Sequence, residues 1–196
     1  MRIFLIDNDE DHIPELKRLL EDDNYLSVLH DKFVCNLGRD FEEPQIITLQ
    51  PEFKKLDETK IANFVDTSSK EHGFVADDYY VVDNLLTSEE HKDDKIDNPL
   101  DSSSGYKFAK RLVDKHNIPS ERIRLISKFI MLDTTVEPFG KIIRKPFMVG
   151  REEIVLDQGE RVTLDDSMPE WLREYEMILD FKNQIYYGAL KPIINS

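Results

Sequence analysis

Cysteine is almost absent from the sequence, since Cys35 is the only one among 196 residues. A single cysteine cannot form an internal disulfide or supply a metal site made of several cysteines. The five histidines show no spacing typical of metal ligands. The sequence therefore offers neither a disulfide framework nor a Cys-rich metal motif.

Basic residues and long apolar runs are also scarce. Lys and Arg number 26 against 40 Asp and Glu, which gives a formal net charge of -14. Nucleic acids and anionic membranes attract an excess of positive charge, so the composition argues against both as partners. No apolar run approaches the roughly 20 residues of a membrane span, and the first residues predict a strand instead of a signal peptide. We expect a cytoplasmic protein of one domain, with or without an appendage.

The most informative stretch that the chain does contain is residues 77–86. An uninterrupted run of two tyrosines and two valines precedes Asp83, and turn-forming residues follow it. Such a run is typical of a central parallel strand that is covered on both faces. Ligands collect at the carboxyl ends of such strands, which favours a functional Asp83. The alternative is an aspartate that caps the following turn or helix.

Three further strands are predicted to end in polar residues. The run 2–6 leads into an acidic cluster at 7–11, the run 122–127 ends at Ser127, and the run 141–147 contains Lys145 followed by proline. In a parallel sheet these ends lie at one edge. The acidic cluster suits a helix start capped by Asp9 or Asp11 and also a Mg2+ site, and the two roles are compatible.

Helical spacing of apolar residues predicts helices at 13–20 and 106–113, and more weakly at 60–65. One more strand is expected between the first helix and the run at 77–86, and either of two apolar runs, 25–29 or 45–49, could form it. Residues 87–104 predict a long polar loop, and residues 129–139 predict a helix that is short or distorted at best.

An acidic cluster, a carboxylate, a hydroxyl and a lysine at one sheet edge suit phosphoryl transfer onto a carboxylate. In their order and local context these residues resemble the receiver domains of two-component response regulators. The matching pieces are Ile3–Glu10, Tyr80–Asp83, Gly105 before a helix, Leu125–Ser127 and Lys145–Phe147. The resemblance implies a doubly wound, five-stranded parallel sheet of the flavodoxin-like (βα)5 type. It covers residues 1–147, with insertions at about 30–66 and 87–104.

The resemblance also implies a role for each site residue. Asp83 would accept a phosphoryl group from a histidine kinase or phosphotransfer protein, Ser127 would be the switch hydroxyl, and Lys145 would contact the phosphoryl group. Mg2+ would be held by Asp7 with a neighbour, Asn8 or Asp9, by Asp83 and by the backbone carbonyl of Leu85. Such a protein is a regulator, not an enzyme, and signals by contact with a downstream protein.

Asn8 stands where the family has a second acid, so a pseudo-receiver that keeps the fold without accepting phosphate is one alternative. A second is a haloacid-dehalogenase-like, Mg2+-dependent phosphatase. In that interpretation Asp7 and Asp9 are nucleophile and acid, Ser127 and Lys145 bind phosphate, and Asp165 and Asp166 hold the metal. It leaves Asp83 without a role.

Residues 148–196 form a C-terminal extension in this interpretation. Apolar runs around residues 157–160 predict a β-hairpin. A helix is predicted to begin with Ser167 as its cap and to end at Gly188. This helix is either the last receiver helix or an interface for a homodimer or another partner, which would make the protein an acidic interaction module.

Overall fold

The computed structural model describes residues 1–37, 42–90, 102–127, 135–146, 153–155, 161–163 and 170–194. The helices in these residues are α1 (His12–Leu20), α2 (Asp23–Leu37), α3 (Glu58–His72), α4 (Ser104–His116) and α5 (Glu170–Ile194), with a short 3-10 turn at Ser120–Arg122. The strands are β1 (Arg2–Ile6), β2 (Gln45–Leu49), β3 (Tyr79–Asp83), β4 (Ile123–Ser127), β5 (Thr135–Val136), β6 (Gly140–Lys141), β7 (Ile143–Arg144), β8 (Glu153–Val155) and β9 (Arg161–Thr163).

Five strands form one parallel sheet in the order β2-β1-β3-β4-β7. Ile6 pairs with Val82, and Asp83 pairs with Ile126, so β1, β3 and β4 end at nearly the same level. The predicted five-stranded parallel sheet is therefore confirmed, and its carboxyl edge carries the predicted site residues.

Helices cover both faces of the sheet, which explains why every residue of β3 is buried. Successive side chains of a strand point to opposite faces. Tyr80 and Val82 pack in a core with α3 and α4, whereas Tyr79 and Val81 pack in a second core with α1, α2 and α5. A strand buried in this way has no solvent-facing side, and its sequence shows no polar alternation.

Of the two runs that competed for the remaining strand, residues 45–49 form β2 and residues 25–29 lie in α2. Leu26 is buried while Val28 is exposed, so residues 25–29 face the core along one side only. Much of the range 30–66, which was expected to be an insertion, consists of β2 and the first part of α3. Within the range 87–104, residues 91–101 lie outside the described residues.

The connection from β4 to β7 contains an antiparallel hairpin of β5 and β6. A short or distorted helix was considered at 129–139. Residues 128–134 lie outside the described residues, and residues 135–139 belong to the hairpin instead of a helix. Strands β8 and β9 pair as the sequence predicts for the C-terminal hairpin. The hairpin's turn, Phe147, Ser167 and the pair at 165–166 are outside the described residues.

The prediction that the last helix ends at Gly188 is wrong, because α5 continues to Ile194. Gly188 is buried, and a Cβ built on it would lie 2.0 Å from the Tyr79 hydroxyl oxygen. The glycine therefore allows the helix to approach the sheet closely instead of ending it. Phe181 and Tyr186 of α5 are buried in the same core.

None of the helices in the described ranges has the length and apolar character needed to cross a membrane.

We expect Gly188→Ala to lower the free energy of unfolding by about 1–3 kcal/mol, because the added methyl group overlaps the Tyr79 ring. Without that overlap, alanine in a helix interior would stabilise the protein by about 1 kcal/mol. Urea unfolding of Gly188→Ala, Tyr79→Phe and the double variant tests this explanation. The penalty of the alanine should shrink in the Tyr79→Phe background, and an equal penalty in both backgrounds would contradict it.

Candidate functional site

The centre of the site is a buried lysine shared by two carboxylates. The Lys145 Nζ atom lies 2.7 Å from Asp7 Oδ2 and 2.8 Å from Asp83 Oδ2. The three residues are only 1%, 0% and 2% exposed, respectively. Asp7 follows β1, Asp83 ends β3, and Lys145 follows β7, so one cation joins the ends of three strands.

Backbone hydrogen bonds hold these strand ends together. The Lys145 N–H donates to the Ser127 carbonyl at 2.9 Å, and the Asn84 N–H donates to the Ile126 carbonyl at 2.8 Å. Ser127 is buried at the end of β4, between the strand of Asp83 and the chain that carries Lys145. Its position at this edge agrees with the sequence prediction.

Asp9 supports the site from the start of α1. Its N–H donates to Asp7 Oδ1 at 3.0 Å, while its own Oδ1 accepts from the N–H groups of Asp11 and His12 at 3.0 and 3.3 Å. Asp11 occupies the N-cap position but makes no side-chain cap bond. Asp9 is thus the residue that satisfies the first amides of α1, one of the two roles considered for the acidic cluster.

The environment of Asp9 favours its charged form. Although partial burial acts to raise it, the pKa of Asp9 is lowered, because the carboxylate accepts from the Asp11 and His12 amides and faces the charges of His12 and Lys145. Asp9 Oδ2 lies 3.1 Å from His12 Nδ1. Its carboxylate is therefore oriented by the helix start and interacts with Lys145 at longer range.

Burial and charge act in opposite directions on the central cluster. Burial raises the pKa of Asp83 to about 7; Lys145 opposes this rise and Asp7 adds to it. Burial also acts against the charged form of Lys145, but Asp83 and Asp7 outweigh it and raise the lysine's pKa. Lys145 therefore remains a cation while Asp83 changes its protonation state near neutral pH.

The loop after β3 is attached to the first turn of α4. The Gly105 N–H donates to the Asn84 carbonyl at 3.0 Å, and a Cβ on Gly105 would lie 2.0 Å from the Asp83 carbonyl oxygen. Ser103 Oγ donates to Asn84 Oδ1 at 2.7 Å and accepts from the N–H of Tyr106 as the N-cap. Only glycine allows α4 to begin this close to the backbone of Asp83.

Glu90 closes the same loop, a role that no pattern in the sequence indicates. Its carboxylate accepts from the Ser104 N–H at 2.9 Å, the Ser104 hydroxyl, the Thr87 hydroxyl at 2.8 Å and the Thr87 N–H at 3.2 Å. Ser104 Oγ also accepts from the Leu86 N–H at 2.6 Å. Residues 87–104 were expected to form a solvated loop. Residues at both ends of this stretch instead make the hydrogen bonds that hold the segment after Asp83 in place.

The two remaining predicted ligands lie beside the cluster. Asn8 is half-buried directly after Asp7, and Leu85 is half-buried two residues after Asp83. The Leu85 N–H donates to the Asp83 carboxylate, which acts to lower the pKa of that carboxylate. The described residues contain no group of three or more His, Cys, Asp or Glu side chains arranged to hold a metal.

No protein-family model matches the chain, and searches of curated proteins and of solved structures also found no match.

The raised pKa of Asp83 predicts a pH dependence of stability. An unfolded aspartate has a pKa of about 3.9, whereas that of the folded Asp83 is about 7. Because the pKa is higher in the folded state, the contribution of Asp83 to the free energy of unfolding is fully present below about pH 4. This contribution is lost as the pH rises through about 7. Asp83→Asn, which mimics the protonated carboxyl, should therefore be more stable than wild type at about pH 8, by on the order of 4 kcal/mol.

Urea unfolding of the two proteins at several pH values measures this difference. The advantage of Asp83→Asn should shrink towards about pH 4, where the wild-type carboxyl is protonated in both states. The explanation would be contradicted if the difference in unfolding free energy between Asp83→Asn and wild type stayed constant with pH. It would also be contradicted if wild type were the more stable protein above neutral pH.

Proposed function

We propose that the chain is a receiver-like signalling protein that accepts a phosphoryl group on Asp83 and signals through contacts with other proteins. The phosphoryl donor would be a histidine kinase or a phosphotransfer protein. The observation that carries the proposal is the contact of Lys145 with both Asp7 and Asp83 at the carboxyl edge of the sheet.

The sheet order supports this proposal. With β7 counted as the fifth strand of the sheet, the order is 2-1-3-4-5, which is the order of flavodoxin-like folds. In such folds the ligand site lies where the strand order reverses, at the carboxyl ends of the first and third strands. Asp7 and Asp83 are the residues at those two ends. We infer a receiver-type fold from this agreement together with the sequence resemblance.

The side chains suit the chemistry of the transfer. The Asp83 carboxylate attacks phosphorus, a new P–O bond forms, and the P–N bond to the donor histidine breaks. Lys145 neutralises charge on the phosphoryl oxygens, and the Ser127 hydroxyl donates a hydrogen bond to one of them. Burial acts to raise the pKa of Asp83, whereas Lys145 acts to lower it, so the lysine favours the ionised form that the attack requires.

The oxygen atoms around the cluster fit Mg2+. This ion is typically bound by one or two carboxylates together with phosphate oxygens and water. Asp7 and Asp83 supply two buried carboxylates with a single lysine between them, which leaves one net negative charge when all three are ionised. By the sequence resemblance, Asn8 and the backbone carbonyl of Leu85 would supply further oxygen ligands. The ion would neutralise negative charge on the transferring phosphoryl group.

One observation favours the pseudo-receiver as a second candidate. The Asp83 side chain is almost completely buried and already paired with Lys145. A phosphodonor therefore reaches Asp83 only if this edge of the sheet opens. The phosphatase interpretation has less support, because the carboxylate of Asp9 is committed to the first amides of α1 and Asp83 belongs to the central cluster.

Incubation with acetyl phosphate and Mg2+ followed by intact-mass spectrometry tests the proposal. We expect one phosphate adduct on the wild type and none on Asp83→Asn, because an amide cannot act as the nucleophile. Asp11→Asn is the matched control, since it changes an exposed aspartate of the neighbouring loop and should keep the adduct.

The other outcomes separate the alternatives. An adduct that survives in Asp83→Asn but is lost in Asp7→Asn would move the nucleophile to Asp7 and support the phosphatase interpretation. Absence of an adduct on the folded wild type with this donor, and also with a phosphorylated phosphotransfer protein, would support the pseudo-receiver.

A further inference from the structure

A groove between α2 and α5 is the second notable site of the molecule. It encloses a cavity of about 420 Å³, whose lining includes Tyr25, Leu29, Asn183, Tyr186, Tyr187 and Leu190. These helices cover the sheet face opposite to α3 and α4. The groove is mainly apolar and aromatic, which is typical of surfaces that take an apolar anchor from a partner.

Side-chain contacts fix the walls of this groove. The Tyr25 hydroxyl donates to Asn183 Oδ1 at 2.8 Å, and the Tyr186 hydroxyl donates to the Leu20 carbonyl. The Tyr25 and Tyr186 rings lie 5.5 Å apart. Lys182 Nζ lies 2.6 Å from Asp22 and 5.3 Å from the centre of the Tyr25 ring. A partner therefore meets a largely preformed surface, which lowers the entropic cost of binding.

Acidic side chains lie near the groove, and Glu21 directly follows Leu20, whose carbonyl accepts a hydrogen bond from the lining residue Tyr186. Burial is the main cause that raises the pKa of the Tyr186 hydroxyl, and the neighbouring Tyr25 adds to it. The negative charges of Glu21 and Glu43 raise this pKa further, so both carboxylates lie near Tyr186. Asp180 lies one turn before Gln184, another lining residue, and accepts from its amide at 2.6 Å. Lys182, a cation of this wall, is buried and committed to Asp22. Lys17 Nζ lies 3.7 Å from Glu21. The four carboxylates Glu21, Asp22, Glu43 and Asp180 still outnumber the two lysines, so this side of the molecule presents net negative charge to a ligand.

We propose that this groove binds a basic amphipathic segment of a partner protein. An apolar face of the segment would contact Tyr187 and Leu29, and its Lys and Arg residues would face Glu21, Glu43 and Asp180. A second copy of this chain is a poorer occupant, because each copy carries a net charge of -14 and two such chains repel each other. The proposal does not depend on phosphorylation of Asp83.

The test uses a labelled helical peptide of Leu and Lys, with Leu at i, i+3, i+4 and i+7, and measures its fluorescence anisotropy with the 196-residue chain. A peptide with the same Leu pattern and Glu in place of Lys is the charge control. We expect the Lys peptide to bind and the Glu peptide to bind at least about tenfold more weakly. Binding should also weaken as salt is added.

Paired variants locate the binding surface. Tyr187 and Tyr175 are tyrosines of the same helix and are 65% and 59% exposed, but only Tyr187 lines the groove. Tyr187→Ala should weaken binding of the Lys peptide about tenfold, and Tyr175→Ala should leave it unchanged. Circular dichroism melting establishes that both variants are folded.

A second pair of variants tests the charge near the groove. Glu21→Gln with Glu43→Gln should weaken binding, whereas Glu52→Gln with Glu71→Gln changes the net charge equally at exposed positions outside the groove and should not.

Three results would overturn the proposal. The first is that Tyr187→Ala and Tyr175→Ala affect binding equally. The second is that the Lys and Glu peptides bind equally well. The third is that sedimentation experiments show a concentration-dependent dimer, and that the Tyr187→Ala substitution dissociates this dimer. The last result would assign the groove to a second copy of the chain.

Discussion

The buried ammonium group of Lys145 holds together the carboxyl edge of the sheet. Two carboxylates removed from water repel each other strongly, and each loses its hydration. The lysine offsets both costs through contacts of 2.7 and 2.8 Å, yet it leaves the group of three with an excess negative charge. Strand ends that carry Asp7 and Asp83 can therefore lie side by side only because the chain returns after β7 with a cation at this place. The raised pKa of Asp83 reflects the part of the cost that the lysine does not offset.

The parts of the fold that could be predicted from the sequence are those in which local pattern and burial agree. Strands β1 and β3 are uninterrupted apolar runs because both faces of the sheet are covered, and a helix such as α4 shows its single buried stripe. The cluster of Asp7, Asp83 and Lys145 was also predictable, since polar residues directly after such strands share one edge. That inference needs only chain order and the parallel direction of the strands.

The features that the sequence did not reveal depend on distant neighbours. Gly188 resembles a helix end locally, and only the position of Tyr79 explains why the helix passes through it. Glu90 lies in a polar loop without periodicity, and its partners Thr87 and Ser104 become its neighbours only when the loop folds back on α4. Residues 25–29 were ambiguous because a short apolar run fits a strand and a helix equally well.

The position of α5 in the chain has a consequence for biosynthesis. Residues 170–194 complete the cover of one face of β1 and β3, and they are made after every strand of the main sheet. While the chain emerges from a ribosome, that apolar face lacks its last helix, even though the opposite face can already pack against α3 and α4. A sheet that forms before α5 docks has one apolar face exposed to other chains, and such a face favours aggregation.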